Sequence, residues 1–138
     1  MTIAISTEGN ASMLAIDITG VASVAAAGQG SLANPFGCSV HIVRAWLLVK
    51  TQATAAGQLQ IGVTTAAAAA ADVWPDTAMN GQTEGSLYSC FAQDPGAATV
   101  LVPAVWTAAK YLTFSGTVAS LVGFTGTLFL EIVRTPAE

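Results

Sequence analysis

The residues of this chain that could do chemistry are few: one histidine, eight Asp and Glu, four Lys and Arg, and two cysteines in 138 residues. Acid–base catalysis needs such groups gathered within hydrogen-bond reach of one another. Asp72, Asp76 and Glu84 share a segment with Trp74, an arrangement from which a glycosidase could draw two carboxylates beside a sugar stacked on the indole. Their order departs from the D-x-[DN]-x-[DN]-G pattern of a calcium loop, and we read them as solvated loop carboxylates. His41 stands at the head of a strand and reads as a strand-edge or interface histidine. No serine sits in a G-x-S-x-G elbow, and Cys38 and Cys90 have no acid or base beside them in sequence. The two cysteines could form one disulfide, but they make neither a CxxC nor a ligand cluster and read rather as two buried thiols. Gly28 and Gly30 lead into no phosphate-binding loop, so they read as a flexible connection. The expectation is a non-enzymatic protein with no catalytic residue, cofactor or metal.

The elements that would position these residues are strands. Ser39 to Lys50 alternates in β fashion, with Val43, Ala45, Leu47 and Val49 on one face and Val40, Ile42, Arg44, Trp46 and Leu48 on the other. Both faces are apolar, so the second one is expected to meet another layer or subunit. Gly126 to Thr135 repeats the pattern, with Leu128, Leu130 and Ile132 opposite Phe129, Glu131 and Val133. Half-buried strands are expected around Leu59–Val63, Tyr111–Ser115 and Met13–Thr19, and weaker ones at Leu87–Phe91 and Thr99–Val102. Turns are expected at Gly9-Asn10, Ala56-Gly57, Asn80-Gly81, Pro95-Gly96 and Ser115-Gly116. Ala66 to Ala71 is expected as a helical turn or irregular loop leading into Val73–Asp76, because Pro75 disfavours helix at Trp74. Together these give an all-β, single-domain, jelly-roll-like β-sandwich of about seven to eight strands over 1–138, with 1–12 as a candidate extended N-terminal arm.

Composition points to assembly. Charged residues are 9% of the chain and AVILMFWYC residues 53%, with a net charge of −4. A surface so poor in charge is suited to contact with other proteins rather than to a free monomer. Arg44, Lys50, Lys110 and Arg134 form no basic cluster, so direct nucleic-acid binding is not expected. The uncharged stretches 18–43 and 111–130 contain Gly, Pro, Asn, Gln, Ser and Thr that suit strands and turns better than a membrane span. No Lys or Arg precedes Arg44, so a secretory signal is not expected.

Contacts with subunits or partners are expected from Trp46, Trp74 and Trp106, since Trp supplies a large buried area with few torsions to freeze, and Met79 is a further expected contact. Trp46 suits core and interface alike. Thr2, Ile3 and Ile5 could add a strand to a neighbour or form an edge strand of their own sheet. Arg44 and Glu131, the two charges in mid-strand, are expected to form a structural ion pair.

The run Leu32-Ala33-Asn34-Pro35-Phe36-Gly37, then Val40 to Val49, Thr51, Ala53-Thr54-Ala55 and Leu59 to Val63 resembles small virion structural proteins of tailed bacteriophages. Trp106, Lys110-Tyr111-Leu112-Thr113 and Gly123 through Arg134 look like the closing strands of those proteins, so the resemblance spans roughly residues 30 to 135. It implies a capsid decoration (cement) protein on the outer surface of the head, made in the bacterial cytoplasm. The implied partners are the major capsid protein and further copies of itself, commonly as a homotrimer. The six-alanine stretch departs from that pattern. The alternative reading is a tail, fibre or carbohydrate-binding β-sandwich module in which Trp74 and Trp106 stack on sugar rings. A small hydrolase using Asp72, Asp76 or Glu84 is the third.

Overall fold

A computed structural model describes residues 11–20, 30–65, 68–93 and 102–135. They form nine strands: β1 (Ala11–Thr19), β2 (Gly30–Ala33), β3 (Val40–Thr51), β4 (Gln58–Thr64), β5 (Trp74–Ala78), β6 (Leu87–Phe91), β7 (Ala104–Trp106), β8 (Tyr111–Thr117) and β9 (Thr125–Arg134). All pairings are antiparallel. One sheet runs β1-β9-β3-β6, with β7 alongside β3 beyond the end of β6, and the other runs β2-β8-β4-β5.

The pairings are nested. β4 pairs with β5, β3 with β6 and β7, β2 with β8, and β1 with β9. A ribbon of two antiparallel strands that rolls up on itself gains two further contacts, β3 with β9 and β4 with β8. This winding is the jelly roll, in one layer of five strands and one of four. The strands number nine against the expected seven to eight, because β2, β5 and β7 stand outside the stretches expected as strands.

Between the layers lies one apolar core. Ile42, Leu47, Leu128, Leu130 and Ile132 from the first sheet and Leu59, Ile61 and Leu112 from the second are all fully buried. Each such side chain contributes roughly 1.5–3 kcal/mol by leaving water. Asn34 turns the corner into β3: its Nδ2 donates to the carbonyls of Cys38 (2.9 Å) and Trp106 (2.7 Å), and its Oδ1 accepts from the amide of Phe36 (2.8 Å).

The strand alternation of β3 differs from the expectation in one place. Val40 and Ile42 face inward together with Ala45, Leu47 and Val49, although they stand on opposite parities in sequence. A register shift against β9 between Ile42 and Arg44 accounts for it. An extra residue in one strand inverts the alternation from that point on.

Three strands, β2, β5 and β7, were not expected. β5 includes Pro75, which is tolerated because β5 is an edge strand and needs no donor on its outer side. β2 begins at Gly30, and its four residues are too short to show an alternation. Conversely, Ser115-Gly116 is not a turn: both residues are buried within β8, where Gly116 lies opposite Leu59. Val102 is not in a strand, and 99–101 lie outside the described residues, as do the turns expected at Gly9-Asn10 and Pro95-Gly96. Of the candidate arm, residues 11 and 12 belong to β1.

Ala68 to Ala71 form no helical turn and take the irregular alternative. They cross the outer face of β4. The amide of Val63 donates to Asp72 Oδ1 (2.8 Å), the amide of Val73 donates to the Ile61 carbonyl (3.0 Å), and the strap passes close above Gly62. Small side chains make the close approach possible. Thr113 and Ser115, on the face of β8 that points away from the core, are also buried.

Candidate interaction surface

One face of a two-layer sandwich normally points to water and carries polar side chains. The outer face of the β1-β9-β3-β6 sheet instead sets large exposed apolar side chains among a few polar ones. The register sets its side chains in rows across the four strands. One row is Met13, Glu131, Arg44, Phe91. The next is Ala15, Phe129, Trp46, Ser89, and the third is Asp17, Thr127, Leu48, Leu87. Val133 extends it on β9. Met13, Leu87 and Phe91 are each 57% exposed and Val133 37%. Trp46, Leu48 and Phe129 are half-buried among them. No other strand of the described residues covers this face.

Its two central charges behave unlike a pair. Arg44 and Glu131 are cross-strand neighbours on the same face, which meets the geometric condition for the expected bridge. Yet among the described residues the one salt bridge is Lys50 Nζ to Asp17 Oδ1, at 2.9 Å. The Arg44 guanidinium instead lies 4.6 Å from the centre of the Phe91 ring and 5.3 Å from that of Trp46. Such cation–π contacts contribute about 0.5–1 kcal/mol each at partly exposed sites. The stacking holds the guanidinium over the rings and away from Glu131, and Arg44 Nε is buried without a hydrogen-bond partner.

At the rim, Asp17 accepts hydrogen bonds from Thr127 Oγ1 (2.6 Å) and Lys50 Nζ (2.9 Å). The Thr127 bond first, then the Lys50 bond and charge, hold its carboxyl below the ordinary aspartate range.

Three of the expected contact residues lie elsewhere. Trp106 (0% exposed), Trp74 (4%) and Met79 (1%) are inside the domain. Trp106 donates from Nε1 to the Lys110 carbonyl at 3.0 Å and meets Phe36 edge to face at 6.2 Å. These three pack the chain's own core and offer no surface to a partner or to a sugar ring. Their flanking residues gave no clue, because an interface tryptophan and a core tryptophan carry the same sequence pattern. Of the expected contacts, Trp46 alone stands on an outer face; Thr2, Ile3 and Ile5 lie outside the described residues.

The acids of the glycosidase reading are held by backbone and hydroxyl groups at separate places. Asp72 accepts from the Val63 amide, Asp76 from Thr117 Oγ1 (2.6 Å), and Glu84 from the Gln52 amide (3.1 Å). A shallow pocket beside Asp72 is lined by Val73, Pro75 and Cys90 and includes neither of the other two acids. Among the described residues no three His, Cys, Asp or Glu side chains cluster as a metal site would require. Cys38 and Cys90 are free thiols, half-buried, and burial pushes the Cys90 thiol up. His41 is not at an edge: it lies between Val133 of β9 and Val105 of β7. No helix among the described residues is long and apolar enough to cross a membrane.

The exposed aliphatic and aromatic face was partly legible, since both parities of β3 and β9 are apolar. The contributions of Met13, Leu87 and Phe91 were not, because in short strands either parity could face the core. Compared with protein-family models and with curated proteins, the chain matches no family and no individual protein.

Proposed function

We propose that this chain is a non-enzymatic structural protein of a tailed-phage virion, bound to the outer surface of the head and reinforcing contacts between capsomers. The observation that carries the reading is the apolar outer face of the β1-β9-β3-β6 sheet in a chain with 9% charged residues. Contiguous exposed apolar patches of this kind mark contact sites with other molecules. The jelly-roll winding and the resemblance of residues 30 to 135 to virion proteins support the same role. Its partners are the major capsid protein and further copies of itself. The binding mode needs no turnover: each contact removes apolar surface from water, and repetition over a symmetric shell multiplies weak contacts.

The test is co-sedimentation of the purified chain with capsid shells that lack it. Saturable binding at a fixed ratio to the capsid protein supports the reading. Absence of binding to intact shells overturns it and moves the assignment to a tail or fibre module.

A further inference from the structure

The geometry points to a second copy of this chain as the occupant of the apolar sheet face, packed face to face about a two-fold axis. The four strands β1-β9-β3-β6 have their midline between β9 and β3, and Arg44 and Glu131 lie opposite each other across that midline. Rotation by a half-turn about an axis along the midline, in the plane of the contact, sets β3 of one copy over β9 of the other. Arg44 then faces the second copy's Glu131, and Glu131 faces the second copy's Arg44. The same operation sets Trp46 over Phe129 and Met13 over Phe91. These are an aromatic pair and a sulfur–aromatic pair, both favourable at sheet-packing distance.

Charge complementarity selects this occupant. The centre of the face holds one cation and one anion that make no ion pair with each other within the chain. A two-fold contact requires a patch that complements itself, and this row does so. A three-fold ring, as the resemblance implies, joins two different patches and makes no use of the symmetry of the row. A partner of one charge sign would satisfy only one of the two residues.

Four strands at about 4.8 Å and their central residues at about 3.4 Å give a footprint on the order of 400 Å². A standard stable interface covers roughly 800 Å² per partner. The dimer is therefore weak and concentration-dependent when free. If the chain also binds a shell, the dimer does so through surface outside this face and joins two capsomers, but self-association does not depend on that role.

The experiment is sedimentation velocity of the full chain over a concentration series reaching the millimolar range, without shells. It covers the wild type, Arg44→Glu, Glu131→Arg and an equimolar mixture of the two variants, each checked for folding by circular dichroism. The wild type is expected to pass from monomer to dimer. Each variant alone brings like charges together at both central contacts and weakens association by about a hundredfold or more. In the mixture both central contacts regain opposite charges, so a heterodimer forms where neither variant dimerises alone. A monomeric wild type, a trimer as the first assembled species, variants that dimerise as the wild type does, or a mixture that stays monomeric overturns the inference. Shell binding by a chain that stays monomeric would overturn it while leaving the cement reading intact.

Discussion

Replacing Gly62 by alanine tests how the strap from Ala68 to Val73 is held. In a strand, alanine for glycine at an accessible position stabilises by about 0.4–1 kcal/mol, because the unfolded chain loses freedom. Gly62 has no left-handed backbone to protect, so only space decides the sign. A Cβ there would overlap Asp72 Oδ1 and the Ala70 methyl and would stand 2.6 Å from the Ala70 carbonyl carbon. Two of these three atoms belong to the backbone or to a side chain one bond long, so the strap itself must lift. Lifting it breaks the charge-assisted bond from the Val63 amide to Asp72 (2.8 Å) and the bond from the Val73 amide to the Ile61 carbonyl (3.0 Å). It also uncovers part of β4. A lost bond to a carboxylate costs about 1.5–3 kcal/mol and overpacking about 1–3. The net expectation is a loss of about 2–4 kcal/mol, or about 10 °C in Tm for a chain of this size. Urea denaturation read by tryptophan fluorescence measures it. Asp72→Ala, which removes the bond without the overlap, should give the smaller loss. A Gly62→Ala protein at or above wild-type stability would refute the claim that the strap is anchored on β4.

Val118 has φ of 67° and is 72% exposed, a conformation that a β-branched residue holds at a cost of about 1–2 kcal/mol. Val118→Asn should raise the unfolding free energy by about 1 kcal/mol, and no gain in urea titration would count against the strain. Trp106→Ala removes a fully buried indole and its bond to the Lys110 carbonyl; a loss of about 3–5 kcal/mol is expected by the same titration. Asp17 has its pKa lowered in the folded state, so its contribution is present above the unfolded value and is lost as pH falls through the folded one. The acid limb of a stability–pH profile should flatten in Asp17→Asn; an unchanged limb contradicts the assignment. Cys90, with its thiol pushed up by burial, should react with a thiol reagent only at higher pH than a free cysteine does, and a normal reaction profile in the folded protein would contradict that.

Which parts of this were legible in the sequence depended on strand length. β3 and β9 are long enough for alternation to declare them, and β6 was placed at its observed bounds. The bulge near Val43 was not foreseeable, because one extra residue in a continuous apolar run leaves no compositional mark. β5 was hidden by Pro75, whose breaking effect holds in sheet interiors and lapses at the edge. Arg44 and Glu131 were correctly set on neighbouring strands and one face, but not as the closed pair. Pairing rules weigh charge against charge and overlooked the two aromatic rings beside the guanidinium. The tryptophans show the limit most plainly: Trp46 is on the outer face and Trp106 at the centre of the core, and neither neighbourhood in sequence separates them.

The nesting of the strands also sets an order of events in synthesis. β1 pairs only with β9 among the described strands, and Asp17 and Thr127, bonded to each other, stand 110 positions apart. Leu14, Ile16 and Ile18 therefore leave the ribosome long before their partner strand exists. Such non-local closure is slow, and an unpaired apolar strand invites association with the wrong chain meanwhile. The β4–β5 hairpin, in contrast, can close as soon as it emerges. Assembly of the roll from its inner hairpin outward makes the joining of β1 to β9 the last commitment, and the step at which a chaperone would have the most to do.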